Sequence, residues 1–270
     1  MKMKHRGSNL PASDFLKQKR APTPKTTSQT ELEKMRISVF LAHSGIASRR
    51  TSETFVTEGR VTVNGEVVTN LATKVTSSDI VTFDGNPVSL EEKKRYILLN
   101  KPDGVVCSLS DEKGRPTAAD ILKESVAERV YNVGRLDMYS KGLIIFTNDG
   151  DFARLLSHPS SELEKEYVVN ASQDIPDELV EKFKRGIRVE GVFYKARDCW
   201  KSDDRKLHVI LLEGKNREIR NVFKFFEIPI RSLIRVRIGQ VQIAGMAPGT
   251  FRDLTEKEVA DLKKECAQKL

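Results

Sequence analysis

The decisive stretch of this sequence is Gly134-Arg135-Leu136-Asp137, which the apolar run GLIIF at residues 142–146 follows closely. Residues 130–133 and 143–146 have the apolar composition of two short strands, so Asp137 falls on the connection between them. A loop held between rigid strands is a common place for a catalytic side chain. An aspartate in such a loop also caps turns often, and the spacing alone leaves both interpretations open.

Length and composition limit the class of protein. The 270 residues leave room for one large domain and a small one, and a hydrophobic content of 39% supports a real core. The charged content of 31% indicates a soluble protein. No apolar stretch approaches the roughly 18 residues that a membrane span needs. The basic N-terminus precedes no apolar segment, so it predicts no secretory signal.

Cysteine and histidine positions argue against a metal site. Cys107, Cys199 and Cys266 lie far apart and form no Cys-x-x-Cys pair, and the four histidines are scattered. We therefore expect no zinc site and no structural disulfide framework. An odd number of separate cysteines is typical of a reducing cytoplasm. No heptad pattern or long apolar strip is evident, so we expect a monomer.

Positive charge is concentrated at the N-terminus. The formal charge is +8 and the pI is about 9.3, which favours nucleic acid as a partner. Residues 1–35 carry eight Lys and Arg against three acids, and they show no hydrophobic periodicity. They predict a disordered basic tail that touches phosphates without specificity. A solubilising extension fits the same composition equally well.

Residues 36–90 predict a compact module of two short helices and a small antiparallel sheet. Apolar residues at 37, 40 and 41 have helical spacing, and Ser48 is placed to cap a second helix that ends near residue 59. Residues 61–68 alternate around an Asn-Gly pair, which is a strong hairpin signal. Arg49 and Arg50 open the second helix and Arg60 follows it. Such guanidinium groups can bind phosphates, although a solvated helix face fits the composition better.

Residues 91–270 predict a second, larger domain that mixes strands and helices. A strand at residues 96–100 follows a charged linker, Pro176 starts a helix that Gly186 ends, and Thr255 with Glu258 forms a capping box. No dinucleotide-binding or Walker loop is present. The mixture of elements predicts an α/β or α+β sheet domain after the small helical and β module.

One predicted helix in this domain has a basic stripe. Apolar residues at 219, 222, 223 and 226 form its buried face, which places Arg217, Arg220 and Lys224 on a neighbouring face. Cations this close favour a bound phosphate or a carboxylate partner, although a solvated helix edge is the simpler interpretation. Residues 231–239 then alternate cations with apolar residues, the pattern of a strand with one basic face.

The N-terminal module resembles the RNA-binding domain named after small-subunit ribosomal protein four. The resemblance rests on FLAHSGIASRR at residues 40–50 and EGRVTVNG at residues 58–65, and it implies that Arg49, Arg50 and Arg60 face structured RNA.

From about residue 36 to residue 255 the chain resembles the RsuA/RluB group of bacterial ribosomal-RNA pseudouridine synthases. Four motifs in the same order carry this resemblance: LNKPDGVV at 99–106, GRLD at 134–137, EKEY at 164–167 and EGKNREIR at 213–220. The letters NREIR and LIRVR (residues 233–237) are most similar to the large-subunit, RluB-like branch.

That resemblance implies a mainly antiparallel pseudouridine synthase sheet and a cofactor-free isomerase that converts a uridine of 23S rRNA to pseudouridine. Asp137 matches the catalytic aspartate, which acts covalently on uridine or removes a proton from its sugar. Tyr167 matches the residue that stacks on the target base, and Arg220 the cation that pairs with the aspartate. Arg135 matches the side chain that fills the gap left by the flipped nucleotide. The expected partner is ribosomal RNA or a pre-ribosomal particle.

One residue departs from the family pattern. Relatives usually carry Asp or Asn two residues after the catalytic aspartate, where this sequence has Tyr139. The change keeps open a non-catalytic RNA-binding or ribosome-assembly factor on the same fold. A synthase specific for 16S rRNA is a further alternative.

Overall fold

A computed structural model describes residues 34–91 and 93–267 of the chain. The predicted basic tail falls, up to residue 33, outside the described residues. Met35, the last residue of the predicted tail, already pairs in the first strand.

The N-terminal module (residues 36–90) contains the predicted pair of helices and the predicted hairpin. Its elements are β1 Met35–Arg36, α1 Ile37–His43, α2 Arg49–Thr57, β2 Val61–Val63, β3 Glu66–Val67, β4 Lys74–Val75, β5 Val81–Phe83 and β6 Asn86–Val88. Four strands pair antiparallel in the order β3-β2-β5-β6, and β1 pairs with β4. The Ser48 hydroxyl caps α2 by accepting from the Thr51 N–H at 3.1 Å, as predicted. Asn64 and Gly65 both have positive φ, as the tight hairpin requires.

The larger domain contains one large sheet and a separate two-stranded hairpin, Ile187–Val189 with Val192–Tyr194. Its strands are β7 Tyr96–Lys101, β8 Tyr131–Val133, β9 Lys141–Thr147, β10 Lys165–Ala171, β11 Ile187–Val189, β12 Val192–Tyr194, β13 Asp198–Asp203, β14 Lys206–Leu211, β15 Ile230–Ile238, β16 Val241–Gln242 and β17 Phe251–Asp253. Its helices are α3 Gly150–Ser157, α4 Asp177–Arg185, α5 Glu218–Phe225 and α6 Glu256–Ala267, with a 3-10 turn at Pro159–Ser161. Across the described part of the chain, no helix has both the length and the apolar character needed to cross a bilayer.

Nine strands form the main sheet, in the order β13-β14-β10-β15-β9-β7-β17 with β16 beside β15 and β8 beside β9. Among the described residues, every pair of neighbouring strands in this sheet is antiparallel except β9 and β15, which are parallel. This confirms the predicted mixed, mainly antiparallel sheet. The parallel ladder places the loop before β9 next to the centre of β15.

Both faces of the central strands are covered, which explains why β7 and β9 are apolar without alternation. Ile144 and Phe146 point to the core beneath α4 and α5, whereas Leu143 and Ile145 pack toward α3 and α6. The predicted capping box holds the start of α6, since Thr255 and Glu258 exchange backbone-to-side-chain hydrogen bonds at 2.8 and 3.1 Å.

Gly142 lets β9 approach β15. Its φ is +103°, and a Cβ built there would lie 2.8 Å from the backbone nitrogen of Arg235 and closer still to its carbonyl oxygen. Because the obstacle is main chain rather than a flexible side chain, only glycine fits this position. The parallel ladder therefore depends on this one residue, which comes five positions after Asp137.

Glu91 joins the two domains. Its carboxylate accepts hydrogen bonds from the Arg129 N–H at 3.2 Å and from Asn148 Nδ2 at 2.6 Å. Its own N–H donates to the His43 carbonyl at the end of α1. The N-terminal module is thus docked against the larger domain at the base of α3.

Candidate active site

The loop between β8 and β9 (residues 134–140, the aspartate loop) carries the predicted catalytic residue. Leu136 is buried, and its N–H donates to Cys107 Sγ at 3.3 Å. The Ser140 N–H donates to the Asp137 carbonyl at 3.0 Å and closes a turn. The loop is therefore anchored on the core at Leu136 and ordered around Asp137.

Two cations hold the carbonyl groups of this loop. Lys101 is fully buried at the end of β7, and its Nζ donates to the carbonyls of Met138 at 3.1 Å and Pro102 at 2.9 Å. Burial lowers the pKa of the Lys101 ammonium, while Cys107, Asp103 and Asp137 act in the opposite direction. Arg220 Nη2 donates to the Tyr139 carbonyl at 2.6 Å and to Ser140 Oγ at 3.1 Å.

The Asp137 carboxylate lies between two arginines without a hydrogen bond to either. Its Oδ2 is 3.7 Å from Arg217 Nη1 and 3.7 Å from Arg220 Nε. These distances permit Coulomb attraction but exceed those of a charge-assisted hydrogen bond. Arg220 Nε is buried and has no hydrogen-bond partner among the described residues.

The carboxylate lies in a partly open site. The Asp137 side chain is 37% exposed in the free protein. The main contacts of Arg220 go to the loop backbone, so its pairing with the carboxylate is secondary.

Tyr167 lies on β10 with a buried cation beside it. Tyr167 is 9% exposed, and Arg235 on the neighbouring β15 is 3% exposed. The Arg235 guanidinium carbon is 6.0 Å from the centre of the Tyr167 ring, and Nη1 lies 3.4 Å from the Tyr167 hydroxyl. Arg235 Nε donates to the Leu143 carbonyl of β9 at 2.7 Å. The tyrosine is thus supported by a cation that is itself fixed to the strand after the aspartate loop.

The predicted catalytic residues meet in one cavity, here called the Asp137 cavity. It has a volume of about 100 Å³. Its lining includes Asp137, Tyr167, Arg220, Arg135 and Arg217, with Ile219 and Leu233 as apolar walls. A carboxylate, an aromatic ring and three guanidinium groups around one space can bind a planar base and act on the sugar attached to it.

The other predicted RNA-binding residues lie outside this cavity. Lys224 is 76% exposed and lies 3.5 Å from Glu190. Arg49 and Arg50 are exposed at the start of α2, as predicted.

Arg60 is already engaged within the N-terminal module. Its Nε and Nη2 donate to the two carboxylate oxygens of Asp84, at 2.9 and 2.6 Å, and its guanidinium stacks on Phe55 and Phe83. A phosphate would compete with this bidentate partner.

The basic stripe predicted on α5 is wrong at its first residue. The helix begins at Glu218, and Arg217 is its N-cap with φ +50° in the left-handed region. Arg217 therefore reaches Asp137 from the preceding loop, while Arg220 does so from the first turn of the helix. The sequence pattern missed this because the apolar positions 219, 222 and 223 fix the face of a helix but not its start.

The predicted single basic face of β15 is wrong. A register shift between Glu166 and Tyr167 pairs Arg235 with Tyr167 and Arg237 with Glu166, so the two cations point to opposite faces of the sheet. The strand lies between β10 and β9, so Arg235 is buried against Tyr167. Arg237 bridges Glu166 at 2.9 Å and Glu164 at 3.2 Å. Arg235 and Arg237 lie in the middle of a covered sheet and have internal partners, whereas Arg231 near the start of the strand is exposed.

Lys101, Arg235 and Glu218 are buried residues at the site to which sequence reasoning gave no role. A lysine ending the apolar strand β7, and an arginine inside β15, were the available signals. Glu218 is 3% exposed, and burial raises the pKa of its carboxyl to about 7. Its Oε2 and Oε1 accept from the backbone N–H groups of Lys215 and Lys195, each at 3.3 Å. It ties the loop before α5 to the core.

Comparisons with known proteins agree with this geometry. The family described as RNA pseudouridylate synthase matches residues 95–225, and the S4 domain family matches residues 35–81. The ribosomal large subunit pseudouridine synthase B of Bacillus subtilis is 39% identical over 234 residues, which are 84% of this chain and 95% of that protein. The protein of the same name from Pseudomonas aeruginosa is 35% identical over 244 residues, 87% of this chain and 63% of that protein.

A solved structure is also similar. A crystal structure of a pseudouridylate synthase aligns with a TM-score of 0.62 at 25% identity, covering 84% of this chain and 99% of that one. The extent of the match to the Bacillus subtilis relative goes well beyond a single motif and includes both domains. The chain is therefore a member of the RNA pseudouridine synthase family, with an S4 domain in front of its catalytic domain.

Proposed function

We propose that this protein converts one specific uridine of large-subunit ribosomal RNA to pseudouridine, with Asp137 as the catalytic carboxylate. The observation that carries the proposal is the meeting of Asp137, Tyr167 and Arg220 around one cavity. The names of the Bacillus subtilis and Pseudomonas aeruginosa relatives support the large subunit as the source of the substrate.

The geometry gives each residue a role in this reaction. The target uridine leaves its stack and enters the Asp137 cavity, where the Tyr167 ring offers its base a stacking surface. The carboxylate acts at the ribose, as a nucleophile or as a base, and its Oδ2 lies 3.7 Å from a guanidinium nitrogen of Arg217 and 3.7 Å from one of Arg220. Arg220 is a positioning residue because it fixes the backbone on the C-terminal side of Asp137.

The reaction is an isomerisation within the substrate. The bond from N1 of uracil to C1′ of ribose breaks, the base turns, and a bond from C5 to C1′ forms. The proton on C5 is lost and N1 gains one, with Tyr167 beside the base as the candidate for taking the C5 proton. On balance the substrate gains and loses no atoms or electrons, because the C5 proton passes to the solvent and N1 takes one from it, so the reaction as written requires no cofactor.

Around the cavity, Arg135 and Arg217 offer cations to the RNA backbone, and Lys224, Arg49 and Arg50 extend this set over α5 and the S4 domain. A cytoplasmic site of action is part of this proposal, because the three cysteines lie far apart in the sequence and form no Cys-x-x-Cys pair. The monomeric state stays a prediction from the sequence.

The test is an isomerisation assay on a large-subunit rRNA transcript labelled with tritium at C5 of uridine. We expect the wild-type chain to release tritium from one position, which carbodiimide mapping identifies. Asp137→Asn should release none and should bind the transcript with unchanged affinity at a fixed salt concentration.

Asp177→Asn is the matched control, because Asp177 is 82% exposed at the start of α4 and is not in the wall of the Asp137 cavity. It should remain active. Wild-type protein that binds the transcript and forms no pseudouridine in it would support a non-catalytic assembly factor instead. A modified uridine in 16S rather than 23S RNA would correct only the choice of subunit.

A further inference from the structure

A second and larger cavity adjoins the Asp137 cavity across Tyr167. It has a volume of about 350 Å³ and is here called the Arg235 cavity. The two cavities share Arg135, Tyr167, Gly214 and Lys215 in their walls, but the second does not include Asp137. A uridine placed for chemistry beside Asp137 would therefore leave this neighbouring space open.

The Arg235 cavity combines apolar walls with one incompletely bonded cation. The apolar walls come from β9, β15, α3 and the residues that precede β10 and follow β14: Ile145, Ile238, Leu156, Leu163 and Leu212. Arg235 lines the same cavity and is 97% buried, and its Nη2 has no hydrogen-bond partner among the described residues. A buried guanidinium nitrogen without an acceptor is costly, and a ligand that supplies an acceptor removes that cost.

The rim of this cavity is basic. Arg135 is exposed on the aspartate loop, and Lys215 and Lys165 lie in the wall opposite. Lys165 Nζ donates to the carbonyls of Leu163 and Leu212, at 2.8 and 3.1 Å, which fixes its charge at the wall. Glu213 is also present and pairs with Lys215 at 3.1 Å, so the rim keeps a positive balance. Such a rim suits a phosphodiester.

We propose that the Arg235 cavity binds a second nucleotide of the substrate RNA, one that neighbours the target uridine in the same strand. Its base lies between the apolar walls with a carbonyl oxygen or ring nitrogen toward Arg235, and its phosphate lies at the rim. This inference rests on the proposed function. It makes Tyr167 a partition between two bases, with the target on one side and its neighbour on the other.

The dimensions and chemistry favour a nucleotide over other ligands. About 350 Å³ is at the lower end of small-molecule sites, which suits one nucleotide. A guanidinium donor selects bases by the acceptors on their edges. Because the two cavities adjoin, an RNA strand that enters the Asp137 cavity already lies at the mouth of the Arg235 cavity. The site would thus contribute to the choice of uridine by reading a base that undergoes no reaction.

The first test removes bases one at a time. Short RNA substrates with an abasic residue at each of the two positions before and after the target uridine are compared for kcat/KM. We expect about a tenfold loss at one of these positions. At that position, an RNA with a base analogue of equal shape but without hydrogen-bond acceptors should show the same loss of kcat/KM, because Arg235 remains without its partner. Full activity with that analogue would overturn the contact with Arg235.

The second test fills the cavity from its mouth. Ser157 lies at the exposed end of α3 in the cavity wall, whereas Arg235 variants risk misfolding because the residue is buried. Ser157→Trp should lower kcat/KM on intact RNA to the wild-type value on the sensitive abasic RNA. Combining the variant with the abasic substrate should give no further loss. Ser202→Trp, an equal change on the exposed edge strand β13, should leave both values unchanged.

The two proposals fail in different ways. An enzyme that isomerises its target but tolerates an abasic residue at all four neighbouring positions would overturn the second-nucleotide site and leave the proposed function standing. Loss of activity with Ser157→Trp that adds fully to the abasic effect would also overturn it. Absence of pseudouridine with every substrate, including the full transcript, would overturn the proposed function and this inference together.

Discussion

Arg220 lies closer to the backbone beside Asp137 than to its carboxylate. Its Nη2 donates to the Tyr139 carbonyl at 2.6 Å, whereas its Nε stops 3.7 Å short of Asp137 Oδ2. The arginine therefore works first as a clamp on the aspartate loop. Because Arg220 Nε has no other partner among the described residues, a small rotation of Asp137 on RNA binding would complete the pair.

Because Arg220 holds the aspartate loop, we expect the geometry of its guanidinium group to affect kcat more than its charge does. Arg220→Lys keeps the charge but cannot bond two loop oxygens and still approach the carboxylate. We expect kcat to fall about a hundredfold, since small misplacements of a catalytic group have effects of that size. RNA affinity, measured separately by equilibrium binding, should stay within about threefold of wild type.

Arg217→Lys is the control for this experiment, because among residues 34–91 and 93–267 the ion pair of the Arg217 side chain is with the Asp137 carboxylate. Its kcat should fall less than that of Arg220→Lys. Equal losses in the two variants would show that positive charge near Asp137, and not the position of the loop, determines the rate.

Tyr139 is expected to be replaceable by the residue that relatives usually carry. Its side chain is 63% exposed, and its contact with Arg220 uses the main-chain carbonyl, which any residue provides. Tyr139→Asn should keep kcat within about threefold and leave Tm nearly unchanged, as is usual for surface substitutions. Steady-state kinetics and thermal unfolding measure both. A large loss of kcat would show that the exposed ring contributes to the chemistry.

Gly142→Ala should destabilise the protein strongly. The new methyl group would meet the backbone of Arg235, and φ of +103° is itself unfavourable for alanine. We expect a loss of more than about 3 kcal/mol and a fall in Tm of roughly 10 °C.

Gly114→Ala is matched to this variant, because φ is +66° and nothing lies within 4 Å of the added Cβ. It should cost only about 1–2 kcal/mol, the penalty for the left-handed conformation. Similar melting temperatures for the two alanine variants would contradict the proposed close contact between β9 and β15.

Glu218 predicts a pH-dependent stability. Burial raises the pKa of its carboxyl to about 7, above that of an unfolded glutamate, so the folded state binds more protons between these values. Its contribution to stability therefore decreases as the pH rises from about 5 to about 7, by at most roughly 3 kcal/mol. Glu218→Gln should match wild type near pH 5 and be more stable than wild type near pH 8.

Denaturant unfolding at both pH values measures this difference. Glu124→Gln, at an exposed position, should show the same offset from wild type throughout. A Glu218→Gln variant that is equally destabilised at both pH values would indicate that its two backbone hydrogen bonds matter more than its charge.

Elements with a local chemical signal could be predicted from sequence. The Asn64-Gly65 hairpin and the Thr255 and Glu258 capping box form where they were expected, because each depends on residues within a few positions of one another. The sheet was predicted correctly as mixed and mainly antiparallel. The gathering of Asp137, Tyr167 and Arg220 followed from the family resemblance and not from spacing.

What could not be predicted depends on strand order. Arg235 is buried because β15 lies between β10 and β9, and nothing within residues 230–238 specifies those neighbours. The left-handed conformation of Arg217 likewise depends on how the loop from β14 meets α5. The role of Lys101 became visible only when the loop it binds, 37 residues away, was placed beside it.

The close approach of β9 to β15 at Gly142 has a consequence for how the enzyme selects RNA. It pairs β9, which follows the reactive carboxylate, with β15, which carries the cation beside Tyr167. The hydrogen bond from Arg235 to the Leu143 carbonyl is a second link between the two strands. Two such parts of one sheet cannot open or close against each other. The RNA must therefore change its shape for catalysis, because the target nucleotide has to leave its stack and fit a rigid site. Flipping a nucleotide out of a flexible RNA loop costs less free energy than flipping one out of a regular helix. The deformability of the RNA thus contributes to the choice of substrate.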